Sequence, residues 1–110
     1  MRATACHATD VYGVSYAAPD VATMREVLDT LDEADAVEHP DVSLVHDSGW
    51  ALTVTAVGHI LWENLKEPEE ARPIRVLRHA GRERGLALWQ NLAAGELAAV
   101  EAEPWQRMDD

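Results

Sequence analysis

The sequence predicts an α+β domain: a largely antiparallel sheet of five to six strands with two helices on one face. Three observations predict it. Apolar residues recur at helical spacing in two stretches, near residues 21–31 and 82–94. Between them, residues 41–62 alternate in short runs broken by turn signals. Those runs follow one another directly, which suits antiparallel pairing, because a parallel pair needs a long crossover.

Val11–Ala17 (VYGVSYA) mixes β-branched and aromatic residues and reads as the first strand. Pro19-Asp20 punctuates the chain, and Asp20 can cap a helix that begins at Val21. Val21, Met24, Val27, Leu28 and Leu31 form its apolar stripe, and it should end near Asp35, ahead of His39-Pro40. Asp41–His46 is a strand, and Asp47-Ser48-Gly49 is a turn. Trp50–Val57 alternates, with Trp50, Leu52 and Val54 pointing one way. Gly58-His59 reverses the chain into a strand starting Ile60-Leu61-Trp62.

Asn64–Arg72 is a polar loop, and Pro73–Arg78 reads as an edge strand. The second helix runs from Arg82 to Ala94, with Gly95 placed for a left-handed cap. Gly81 and Gly85 read as helix-boundary punctuation, and Gly85 weakens the helix by about 1 kcal/mol relative to Ala. Leu97–Glu103 reads as extended chain or a final strand, and Pro104-Trp105 closes the domain. One domain spans residues 1–110, with its core at 11–105 and loose ends at 1–9 and 106–110.

Composition narrows the function classes. Apolar residues make up 47% of the chain, yet there is no Phe, so Leu, Val and four Trp must supply most of the buried bulk. Cys6 is the only cysteine, which rules out an internal disulfide and suits a reducing compartment. Residues 1–7 hold no signal-like apolar run, and no stretch reaches the ~20 apolar residues of a membrane span. The expected location is the cytoplasm.

Catalytic signatures are weak. The five histidines (His7, His39, His46, His59, His79) include no i, i+4 pair on a helix. Ser43 and Ser48 lack a nucleophile-elbow context. Cys6 and His7 diverge if the segment is extended. Glu63, beside Trp62 at a strand end, could serve as a general acid or base, but it reads equally as an acidic residue near a loop. No phosphate-binding Gly-rich loop is present. The expectation is therefore a non-enzyme, with no catalytic residue, metal or cofactor.

Charge is the informative feature. The net charge is −11, which repels nucleic acid and anionic lipid and attracts basic proteins. Residues 20–70 hold 13 acids and two bases, whereas residues 71–90 hold five Arg and one Glu. The acids come from helix one (Glu26, Asp29, Asp32, Glu33, Asp35, Glu38), from turns (Asp41, Asp47) and from the segment after Trp62 (Glu63, Glu67, Glu69, Glu70). A solvated face that keeps a small protein soluble explains them, and so does a docking surface for a basic partner. The arginines are expected to form salt bridges to the acidic loop.

The order of Val11–Ala17, helix Val21–Leu31, Val42-Ser43-Leu44, Leu52-Thr53-Val54 and Gly58-His59-Ile60-Leu61-Trp62 resembles the small immunity proteins of bacterial polymorphic toxin systems. A late helix ending Leu92-Ala93-Ala94-Gly95-Glu96-Leu97, followed by Pro104-Trp105, completes the likeness. The similar group is the family found beside deaminase-fold toxins, whose members block a cognate toxin's active site. The resemblance implies a toxin with a basic surface as the partner. On that basis the expected contact residues are Asp29, Asp32, Glu33, Glu63, Glu67, Glu69 and Glu70, with Trp62 or Trp105 as an apolar anchor. Nucleic acid and membrane are not expected partners, and self-association stays open. Two other readings remain: a general interaction or regulatory module, and a small-molecule-binding domain using the sheet face.

Overall fold

The computed structural model describes residues 6–36, 41–68, 70 and 73–107. A single seven-stranded antiparallel sheet carries the helices on one face. The strands are β1 (Cys6–Thr9), β2 (Ser15–Ala17), β3 (Asp41–His46), β4 (Trp50–Thr55), β5 (Ile60–Asn64), β6 (Arg75–Leu77) and β7 (Gln106–Arg107). Their order across the sheet is β2-β1-β3-β4-β5-β6-β7. The helices are α1 (Val21–Asp29), α2 (Arg82–Ala93) and the short α3 (Leu97–Glu101), with a 3-10 segment at Thr30–Ala36 after α1.

Alternation decides which face is buried. Val42 and Leu44 on β3, Leu52 and Val54 on β4, and Ile60 and Trp62 on β5 are all fully or almost fully buried beneath the helices. Their registers place Leu44 opposite Leu52 and Leu52 opposite Trp62, so one apolar row crosses the middle of the sheet. Met24, Val27 and Leu28 of α1, and Leu86, Leu88, Trp89 and Leu92 of α2, close over it. The Trp89 indole donates to the Leu52 carbonyl at 3.1 Å, satisfying the one polar group of that ring inside the core.

Local chemistry sets the element ends. Asp20 is extended (φ −82°, ψ 179°), and its carboxylate accepts the Thr23 amide at 2.8 Å, as a helix N-cap does. Gly95 takes the left-handed conformation (φ +78°) expected of a cap after α2. Gly49, in the β3–β4 turn, is also left-handed (φ +97°), and a Cβ there would stand 2.6 Å from Asn64 Oδ1.

The structure corrects the sequence reading in five places. Val11–Ala17 is not one strand: Gly13 (φ +84°) and the Asp10 carboxylate bend residues 11–13 into a turn, and only Ser15–Ala17 extends. Cys6–Thr9, expected to be loose, is a strand between β2 and β3 with Cys6 and Ala8 buried. Together with β7 it raises the strand count to seven. α1 ends at Asp29 rather than near Asp35. Gly85 is not boundary punctuation but lies inside α2 and is buried. Leu97–Glu101 is helical, because Leu-Ala-Ala-Val-Glu is dominated by strong helix formers; Val100 is buried and Leu97 packs partly buried against the core.

Candidate binding surfaces

The acids expected to act together fall into separate groups. Asp29 and Asp32, at the end of α1 and just beyond it, both meet Arg82 of α2, at 3.5 and 3.1 Å. They tie the two helices together across a long sequence separation. Glu33 accepts the Tyr12 hydroxyl at 2.5 Å and so faces the β1–β2 turn. Glu63 lies opposite Ala51, on the sheet face away from the helices. Glu67 and Glu70 are exposed in the segment after β5, and Glu69 lies outside the described residues, as does Glu38. Arg82, which Asp29 and Asp32 meet, follows Gly81, whose amide donates to Gly58 in the β4–β5 turn, whereas the segment after β5 leaves from the opposite end of β4, where the Leu65 amide donates to Gly49 in the β3–β4 turn. The α1 acids and the post-β5 acids are therefore distinct surface features.

Of the two tryptophans expected as anchors, Trp62 is fully buried and has no surface to present to a partner. It is a diagonal neighbour of Trp50 across the β4–β5 ladder, and the two rings stack at 4.3 Å, 10° from parallel. Trp105 also lies nearly parallel to Trp62, at 6.1 Å and 17°, and its indole donates to the Val100 carbonyl at 2.8 Å. Trp105 is half-buried, so most of its ring serves to close the core.

Arg75 and Glu101 complete this aromatic layer. The Arg75 guanidinium lies 6.0 Å over Trp50 and grips both oxygens of Glu101, at 2.9 and 3.1 Å. Trp62 also donates to Glu101, at 2.9 Å. Burial works to raise the Glu101 carboxyl, but the Arg75 and Trp62 hydrogen bonds and the Arg75 charge outweigh it and hold the group below its ordinary value.

Four further arginines among the described residues also find partners within the chain. Arg25 pairs with Glu83, Arg82 with Asp29 and Asp32, and Arg84 with Glu103, while Arg78 donates to Gln106. Among the described residues, the carboxylates that meet Arg75, Arg82 and Arg84 are Glu101, Asp29, Asp32 and Glu103, on or beside the helices, while Arg72 lies outside the described residues.

A groove of about 560 Å³ opens at one end of the sheet, lined by Cys6, His7, Val45, His46, Asp47 and Lys66 among others. Cys6 and His46 are register partners on β1 and β3. Burial pushes the Cys6 thiol up, which disfavours the thiolate. The His46 Nδ1 accepts the Ser48 amide at 3.0 Å, so that nitrogen is already engaged. This pair therefore lacks the features of an activated nucleophile. Among the described residues, no group of three or more His, Cys, Asp or Glu could hold a metal ion, and no helix is long and apolar enough to cross a membrane.

The β1–β2 turn is hidden in the sequence, where Val11–Ala17 has strand composition throughout. Buried Asp10 accepts the amides of Tyr12 and Val14, at 2.9 and 3.0 Å, and the Tyr16 hydroxyl at 3.1 Å. Tyr12, Val14 and Tyr16 are all exposed around it. Glu33 raises the Tyr12 phenol above its ordinary value, first through their hydrogen bond, and Asp10 does the same to Tyr16. The available signal was Asp10 ahead of Gly13, a turn-forming pair at the start of an apparent strand.

No protein-family model, curated protein or solved structure matches the chain.

Proposed function

We propose that this chain binds and neutralises a basic protein, and that it does so as an immunity protein against a cognate bacterial toxin. The observation that carries the first part is the engagement of its arginines. Arg25, Arg75, Arg82 and Arg84 each meet a carboxylate of the chain itself, so the field outside the molecule is set by the surplus of acids behind the net charge of −11. Such a field draws in basic partners and disfavours nucleic acid.

The toxin reading rests on the resemblance of the strand, helix, meander, helix and Pro104-Trp105 order to the immunity proteins found beside deaminase-fold toxins. A toxin that acts on nucleic acid needs a basic cleft, and an acidic inhibitor is the complementary solution. Inhibition here requires occupancy alone, with no reaction by the inhibitor.

The test is co-expression with the tagged product of the immediately neighbouring gene. A stoichiometric complex, and toxicity of that product when this chain is omitted, is the expected result. No complex and no toxicity would overturn the toxin reading.

A further inference from the structure

The β1–β2 hairpin presents Tyr12, Val14 and Tyr16 to solvent, 55%, 49% and 37% exposed. The turn that displays them is internally fixed by Asp10, which is 6% exposed and accepts two turn amides as well as the Tyr16 hydroxyl. The Tyr12 hydroxyl is held in turn by Glu33. Both rings are tethered at their tips, so docking onto them orders little that is not already ordered.

The surroundings of the rings are negative. Asp10 and Glu33 accept from the two phenols, and the Glu26 charge also acts on Tyr16. The face of a tyrosine ring is itself the negative end of a quadrupole. Ring faces bordered by carboxylates favour a flat cation, and a guanidinium suits them better than an ammonium because it stacks and forks at once. The molecule already contains this arrangement in closed form: Arg75 lies over Trp50 while gripping Glu101. At Tyr12 and Glu33, an aromatic ring and a carboxylate stand joined at the surface.

We propose that the Tyr12–Val14–Tyr16 patch is the docking surface for an arginine of a basic partner protein, with the guanidinium over a tyrosine ring and its N–H groups directed at Glu33. The proposal rests on the reading of the chain as a binder of basic proteins, and it places the contact on the hairpin rather than on the acids after β5.

The probe is a fluorescein-labelled oligoarginine peptide, titrated with the full chain and followed by anisotropy. Tyr12→Ser with Val14→Ser removes exposed apolar surface and leaves the net charge unchanged. Asp47→Asn with Glu70→Gln removes two exposed charges elsewhere. The first pair is expected to weaken oligoarginine binding about fivefold, the scale of an exposed cation–π contact, and the second pair to weaken it less. Oligolysine of equal length is expected to bind more weakly than oligoarginine. In the wild type, peptide-induced amide shifts should centre on residues 12–16 and 33. No binding of oligoarginine, equal affinity for the Tyr12/Val14 variant, equal affinity for oligolysine, or shifts centred elsewhere would overturn the proposal. A complex with the neighbouring gene product that the Tyr12/Val14 variant leaves intact would overturn this surface alone. Failure of any such complex to form tests the toxin reading and leaves the oligoarginine result to stand by itself.

Discussion

The Trp62 indole donates to Glu101 Oε2 at 2.9 Å, joining a fully buried ring in β5 to the short helix α3. Arg75 grips the same carboxylate from β6. Glu101→Ala would remove the partner of a buried indole N–H and of a guanidinium at one stroke. An unsatisfied buried donor costs about 1–3 kcal/mol, and the partial exposure of the ion pair keeps the loss from growing much beyond that. Glu101→Gln keeps an acceptor for one of the two donors and is expected to fall between Ala and the wild type. Urea midpoints at constant slope are the measurement, and an unchanged midpoint for Glu101→Ala would show that α3 is not anchored this way.

The same carboxylate makes stability depend on acidity. Its folded pKa lies below the ordinary value of 4.5, so the folded state holds fewer protons than the unfolded state in that window. Its contribution is therefore complete above 4.5 and is lost as the pH falls through the lower folded value. Asp20 behaves likewise below its ordinary 3.8, because the Thr23 amide favours its charged form. Thermal unfolding followed from neutral pH down through 4.5 and below should show a shallower acid limb for Glu101→Gln and for Asp20→Asn than for the wild type. An acid limb unchanged in both variants would assign the acid loss to other groups.

Gly85 is required where helix α2 touches the sheet. A Cβ at this position would stand 2.8 Å from Val54 Cγ2, and Val54 is completely buried. Helix propensity favours Ala over Gly by about 1 kcal/mol, but overpacking a tight core costs about 1–3 kcal/mol. Gly85→Ala is therefore expected to destabilise the wild type, whereas the same change in a Val54→Ala background should stabilise, since the space is then open. A double-mutant cycle reads the sign of the coupling directly. Additive effects would mean that Val54 moves aside without cost.

Much of this architecture is legible in the sequence because it rests on local signals. Asp20 before an apolar stripe gives α1 its start, Gly95 gives α2 its end, and alternation in Asp41–His46 and Trp50–Thr55 gives the central hairpin its buried face. What was not legible depends on distant partners. Whether Gly85 marks a helix boundary or makes room for a strand depends on Val54, and whether Trp62 is core or anchor depends on Trp50, Trp105 and Glu101. The Val11–Ala17 run has strand composition throughout, and only the Asp10 carboxylate folding back on it turns half of it into a loop. Of the candidate surface, the acids could be named from sequence, but not the division between those tied to Arg82 and those after β5.

That division carries a test of its own. Arg82 sits between Asp29 and Asp32, and its guanidinium is held in its charged form chiefly by the Asp32 hydrogen bond. These pairs are solvent-accessible, so Arg82→Ala should cost less than about 1 kcal/mol of stability. Its larger effect would be electrostatic. The substitution removes one positive charge and releases two carboxylates at the α1–α2 seam. If the chain recruits its partner through its acidic field, association with a basic protein should then be faster than for the wild type at low salt, with the difference shrinking as salt is added. Asp29→Asn with Asp32→Asn should act oppositely, slowing association and leaving Arg82 exposed to repel the same partner. Stopped-flow association with the neighbouring gene product over a salt series separates the possibilities. An association rate insensitive to both substitutions and to salt would mean that the partner is selected by shape at another surface, and that the negative charge of this face serves solubility alone.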